Sequence, residues 1–188
     1  MLWKSEKGSD SMKVVIINGS GGVGKDRFVS FCRFHARPNE CVNVSSAELI
    51  KRAAIMLGWD ECGEQKTEDV RKFLSDLTRM ADELFDTRFK YMKSEYDFVK
   101  QHRPRTSILF FHIREPDMIE RVKSEFDAVT LLIERPDVKP ITSNPSDRNV
   151  RHYSYDYVIQ NDGTLDDLDK KAKWFVEQIA ENNNVRTE

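Results

Sequence analysis

The sequence is sparing with glycine. Eight occur in 188 residues, where average usage of about 7% would give roughly thirteen. Charge of one sign is missing too. Thirty Lys and Arg against thirty-two Asp and Glu leave a formal net charge of −2, which argues against a dedicated nucleic-acid binder, where a strongly basic balance is expected. No apolar run approaches the roughly 20 residues of a membrane helix. The opening MLWKSEKGSDSMK holds no apolar stretch of signal-peptide length, so secretion by that route is not expected. Cys32, Cys41 and Cys62 form no CxxC pair and read as reduced thiols of a cytoplasmic protein. His35, His102, His112 and His152 have no metal-ligand spacing. Internal repeats and low-complexity tracts are absent. Hydrophobic residues still make up 39% of the chain and aromatics 10%, too much for a mainly disordered protein.

The little glycine there is has been concentrated. Four of the eight, Gly19, Gly21, Gly22 and Gly24, fall in one window. Before it, KVVIIN (13–18) is a continuous apolar run rich in β-branched residues, as suits a buried parallel strand. After it, DRFVSFCRFHA carries Phe28, Val29, Phe31 and Cys32 at helical spacing. The unit reads strand, glycine loop, helix.

Alternation continues down the chain. CVNVSS (41–46) predicts a second strand. AELIKRAAIMLG predicts a helix stopped by Gly58, and a helical face runs from Thr67 through Val70, Phe73, Leu74, Leu77, Ala81, Leu84 and Phe85. Another helix is expected from Phe89 towards Val99, broken by QHRPR. TSILFFHI (106–113) predicts the third strand, and Pro116 opens the next helix. AVTLLIE (128–134) and DYVIQN (156–161) predict the last two strands. Between them lies the proline-bearing segment 135–155, with no clear period, and LDDLDKKAKWFVEQIAE forms an amphipathic terminal helix. Five parallel strands alternating with helices describe an α/β fold, an open sheet covered on both faces.

Gly19-Ser20-Gly21-Gly22-Val23-Gly24-Lys25 fits GxxxxGK in the strand-to-helix context that the motif requires. Successive backbone N–H groups there form a nest for phosphate oxygens, and the helix N-terminus adds partial positive charge. Lys25 would reach the β- and γ-phosphates. The same glycines also satisfy GxGxxG at Gly19, Gly21 and Gly24, but no acidic residue ends the second strand to hold a ribose. The residue after Lys25 is Asp26, where Ser or Thr normally binds magnesium. A carboxylate can still hold Mg²⁺ there, directly or through water. With no NKxD-type motif in the chain, this points away from a GTPase.

GSGGVGKD resembles the GKD-type loop of the P-loop nucleoside and nucleotide kinases, especially the phage-type deoxynucleoside monophosphate kinases and the animal-type phosphomevalonate kinases. AELIKRAA, with Lys51, FFHIREP and YDYVIQNDGTLDDL are similar to further segments of that family. Two residues depart from it: His112 stands where the family has Asp, and Leu49 replaces a proline. The resemblance implies a three-layer α/β/α P-loop domain over about residues 13–185, after a polar leader at 1–12. Within it, a helical insertion at about 47–105 binds the acceptor, and a lid covers about 135–155.

It further implies ATP and Mg²⁺ as cofactors and a small phosphorylated substrate, a (deoxy)nucleoside monophosphate first, with no nucleic-acid or membrane partner. The donor would be held by Gly19 to Arg27, that is Gly19, Ser20, Gly21, Gly22, Val23, Gly24, Lys25, Asp26 and Arg27, with Asn161 and Gly163 near the adenine. Arg114 is expected at a strand's C-terminal end, where ligands of open α/β sheets bind, as an acceptor-phosphate ligand. Arg148 and Arg151, with Arg135, frame the lid. Lys51 and Arg71 would face the acceptor, although each also reads as a solvated helix charge. Glu115 would position a magnesium-bound water. The aromatics at 85, 89, 91, 96 and 98 read either as core or as a base-stacking wall. Two alternatives stay open, a phosphomevalonate-kinase-like enzyme and a nucleotide-binding regulatory module without turnover, for which His112 speaks.

Overall fold

The computed structural model describes residues 12–36, 40–61, 67–138, 150 and 153–185. The expected leader, apart from Met12, and most of the 135–155 segment lie outside these residues. Five strands, β1 (Lys13–Asn18), β2 (Glu40–Ser45), β3 (Thr106–His112), β4 (Val129–Glu134) and β5 (Tyr157–Gln160), form one sheet in the order β2-β3-β1-β4-β5. Every pairing is parallel. The helices are α1 (Lys25–His35), α2 (Glu48–Met56), α3 (Glu68–Phe85), α4 (Thr87–His102), α5 (Pro116–Phe126) and α6 (Leu165–Val185). The expected five-stranded parallel α/β architecture is therefore the one adopted.

Period-two alternation divides β1 between two cores. Val15 and Ile17 join Phe28, Phe110, Leu131, Ile159 and Phe175 beneath α1 and α6. Val14 and Ile16 join Phe89, Met92, Phe111, Ile119 and Val122 on the opposite face. A central strand buried on both sides has no solvent-facing position, which is why β1 and β3 read as continuous apolar runs. The segment 47–105 does not behave as one unit. α4 buries Phe89, Met92 and Val99 on the sheet, whereas α3 buries none of its residues. Phe89 is thus core, Tyr91 and Tyr96 pack against that core, and Phe85 and Phe98 are exposed.

Local signals end the helices where the sequence suggests. Gly58 has φ +104° just beyond α2. The Thr67 hydroxyl accepts from the Val70 N–H at 3.3 Å as the N-cap of α3, and Pro116 is the first residue of α5. Cys32 and Cys41 are free and buried, and burial pushes the Cys41 thiol up to about 12. Burial keeps both thiols protonated at neutral pH, and a protonated thiol is a poor nucleophile.

Phe175 ties the α1/α6 layer together. Its ring lies 5.7 Å from that of Phe28 and 5.2 Å from that of Tyr157 between centroids. Phe175→Ala is expected to destabilise the fold by about 3–5 kcal/mol through the cavity it leaves, checked by the urea midpoint. A loss below about 1 kcal/mol would mean that α6 is not an integral layer.

Candidate functional site

The C-terminal ends of β1, β3 and β4 carry the chemistry-bearing side chains. Between β1 and α1 the chain makes the glycine loop, and two of its residues explain the composition. Gly19 has φ +143°, and a Cβ there would lie 2.4 Å from the Ile133 carbonyl oxygen. Gly24, the N-cap of α1, has φ +98°, and a Cβ there would lie 2.6 Å from Asn161 Nδ2. Neither position accepts a side chain. Val23 is buried in the α1/α6 core and pins the middle of the loop. Lys25 Nζ donates to the carbonyls of Gly19 at 2.5 Å and Ser20 at 2.8 Å, so its ammonium lies within the turn, against the start of the loop. Asp26 and Arg27 are exposed in the first turn of α1.

Side chains from distant parts of the chain hold this loop in place. Asn18 is buried. Its Oδ1 accepts from the Gly19 N–H at 2.7 Å, and its Nδ2 donates to the Tyr155 hydroxyl at 2.7 Å. That hydroxyl donates to the Val150 carbonyl at 2.9 Å. Asn161 Nδ2 donates to the Val23 carbonyl at 2.8 Å, and the Asn161 N–H to the Glu134 carbonyl at 2.6 Å. The Asn161 side chain thus braces the loop. Gly163 is exposed, and a Cβ there would lie 2.7 Å from an Asp167 carboxylate oxygen. That oxygen accepts from both the N–H and the hydroxyl of Thr164, a capping box that explains Gly163 without a ligand.

At the end of β3, His112 Nε2 lies 2.7 Å from Asn43 Oδ1 on β2. An amide oxygen only accepts, so Nε2 carries the proton. Burial is the main cause that lowers this imidazole to about 4; nearby Asp26 opposes the shift, and Lys25 and Arg114 reinforce it. The charges of Asp26, Lys25 and Arg114 are thus felt at the His112 ring beside the loop, and the imidazole there is neutral at pH 7.

Sequence reasoning missed Arg88. It is 11% exposed on α4, with Nε 2.6 Å from Asp82 and a terminal nitrogen 2.9 Å from Glu115. Nearby carboxylates outweigh its burial and raise the guanidinium further. One arginine therefore ties the end of α3 to the residue that follows Arg114. Nothing in the local pattern TRFKYM distinguishes Arg88 from a solvated helix charge. Arg114 is partly buried, and its carbonyl accepts from Asn18 Nδ2 at 3.4 Å.

Lys51 and Arg71 sit on α2 and α3. Lys51 pairs with Glu61 at 2.7 Å, and Arg71 is exposed on α3. Arg135 lines a shallow cleft beside the loop with Ser20, Val23, Glu134, Val138 and Val150. Arg148 and Arg151 lie outside the described residues. Among the described residues, no group of three or more His, Cys, Asp or Glu is arranged to hold a metal. The exposed carboxylate of Asp26, in the first turn of α1, is of the ligand type that Mg²⁺ takes, one or two carboxylates completed by phosphate oxygens and waters.

No family model matches the chain, and no curated protein matches it in sequence. Solved structures similar in shape include two kinases. Shikimate kinase from Aquifex aeolicus is 11% identical, covers 91% of this chain and 98% of its own, and has a TM-score of 0.45. A sugar kinase from Janibacter sp. HTCC2649, in an unliganded structure, is 12% identical, covers 89% and 95%, and has a TM-score of 0.44. No helix among the described residues is long and apolar enough to cross a membrane.

The depressed His112 has a thermodynamic signature. Between its ordinary value of 6.5 and the folded value of about 4, the unfolded chain binds more protons than the native one, so stability falls as pH drops through this window. His112→Asn should flatten the slope of urea-midpoint stability against pH over that range. An unchanged slope would show that the imidazole is solvated.

Proposed function

We propose that this protein is an ATP-dependent phosphotransferase that moves the γ-phosphate to a small phosphorylated acceptor, with a (deoxy)nucleoside monophosphate as first choice. The observation that carries the reading is the loop from Gly19 to Lys25, set between a central strand and a helix N-terminus with the lysine ammonium folded into it. Its amides, with the partial positive charge of α1, suit the donor phosphates. Lys25 would exchange the Gly19 and Ser20 carbonyls for phosphate oxygens and stabilise charge on the transferring group. Asp26, directly or through water, would hold Mg²⁺, which would supply the remaining charge neutralisation.

Asp26 is the carboxylate we assign to the metal. Glu115, whose carboxylate Arg88 holds, is assigned to a water of the metal's shell. Arg114, whose charge is felt at His112, is assigned to the acceptor phosphate because a guanidinium is permanently charged and bidentate. Arg148 and Arg151 are kept as lid arginines, Asn161 and Gly163 as the turn nearest the adenine, and Lys51 and Arg71 as acceptor contacts. Phosphoryl transfer asks mainly for in-line positioning and charge stabilisation, and these residue types supply both. A cytoplasmic location fits such an enzyme.

His112 favours a second reading. A neutral imidazole stands beside the loop where a carboxylate would add a metal or water ligand, as fits a nucleotide-binding regulatory module without turnover. An acceptor panel separates the two. With Mg-ATP, the purified protein should release ADP only when a suitable monophosphate is added, and Lys25→Ala should lower the rate by at least about a thousandfold. Tight ATP binding without turnover on nucleotide or phosphomevalonate acceptors would favour the regulatory module. Arg114→Ala should raise the acceptor KM or lower kcat by about tenfold or more. Unchanged constants would overturn its assignment.

A further inference from the structure

Asn18 ends β1, and its side chain lies where two parts of the site meet. The residue is only 1% exposed, and its amide is engaged at both ends. Oδ1 accepts from the Gly19 N–H at 2.7 Å. Nδ2 donates to the Tyr155 hydroxyl at 2.7 Å and to the Arg114 carbonyl at 3.4 Å. These partners fix which end is oxygen, because a backbone N–H only donates and a backbone carbonyl only accepts. The direction of the Tyr155 hydroxyl follows. It accepts from Asn18 and gives its own proton to the Val150 carbonyl at 2.9 Å. Burial raises that phenol to about 12, so the proton is present at neutral pH. Tyr155 is itself held in place, its ring 4.9 Å from that of Tyr153 between centroids and packed against the core around Val14 and Ile16.

The β1–β3 register ends with Ile17 opposite His112. Beyond that pair β1 turns into the glycine loop, and the chain leaves β3 towards Arg114. The Asn18 amide spans this divergence, with one end on the first N–H of the loop and the other on the Arg114 carbonyl. We propose that Asn18, oriented by the Tyr155 hydroxyl, is the positioning residue that sets Arg114 against the donor loop, so that its loss impairs transfer rather than the binding of ATP. This rests on the phosphotransferase reading, in which the loop holds the donor and Arg114 the acceptor. Binding of ATP is spared because the Gly19 N–H is spent on Asn18, which leaves the donor phosphates to the amides that follow. The loop also keeps its other supports, the close approach of Gly19 to Ile133 and the brace from Asn161 to Val23. Transfer is sensitive for the opposite reason: a misplacement of about 1 Å between reacting groups costs roughly a hundredfold in rate.

Tyr155→Phe keeps the ring and removes only the hydroxyl, so the full chain carrying it tests the proposal, with circular dichroism to confirm the fold. Its kcat should fall by at least about tenfold, while the Kd for Mg-ATP by titration calorimetry and the KM for ATP stay within about threefold. Asn18→Ala should lower kcat at least as far. The double variant should fall no further than Asn18→Ala alone, because Tyr155 acts through Asn18. Apart from turnover, the Gly19 amide should exchange with deuterium at least about tenfold faster in Tyr155→Phe than in the parent protein. A parent that transfers phosphate while Tyr155→Phe keeps its kcat would overturn the proposal and leave the kinase reading standing. So would losses that multiply in the double variant, or unchanged exchange at Gly19. A parent with no transfer to any acceptor would overturn both.

Discussion

The backbone of Gly19 passes so close to the Ile133 carbonyl that no side chain fits between them. The rest of the site hangs on this approach. It sets the loop directly on the end of β4, so that Val23 can drop into the α1/α6 core and Gly24 can start α1 in a left-handed conformation. With the helix start fixed, Lys25 reaches back to the carbonyls at the start of the loop. Asn18 and Asn161 then act as braces from below and from the side. A loop held this tightly presents its amides in one arrangement, and little reorganisation is left for the moment of binding.

The same economy governs the two halves of the helical segment between β2 and β3. α4 meets the sheet with Phe89, Met92 and Val99 and so belongs to the core. α3 has the more regular apolar seam but no sheet to cover. The two are locked at Asp86, whose left-handed backbone makes the turn and whose carboxylate meets Arg121 at 2.6 Å through each oxygen. That guanidinium lies 3.6 Å from the Phe89 ring centroid, a cation–π contact joining the turn to the core. Arg88, two residues on, carries the connection to Glu115. Movement of the α3/α4 pair would therefore be felt at the end of β3.

Much of this was legible in the chain. The strand KVVIIN, the helical face that begins at Thr67, Pro116 at the start of a helix and the glycine stop after α2 are all signals carried by immediate neighbours. So is the loop, since its glycines, its lysine and its flanking elements are contiguous. What was not legible has a common form. Asn161 reads as a turn residue near a base, and nothing in the sequence shows that it also holds the loop through Val23, 138 positions away. His112 read as a missing carboxylate and proves to be a neutral donor to Asn43, 69 positions away. Arg88 read as nothing, because both its partners are brought to it by the folding of other elements.

The scarcity of glycine thus has a definite meaning. The sequence alone determined where a phosphate-sized nest could form and that a parallel sheet surrounds it, because backbone conformation and hydrophobic period depend on residue type and near neighbours. Only the tertiary structure decided which polar side chains serve that nest and which serve the frame. Their roles depend on partners that come within hydrogen-bonding distance after the sheet has closed, and on burial, which gives a side chain such as His112 a charge state that its residue type does not specify.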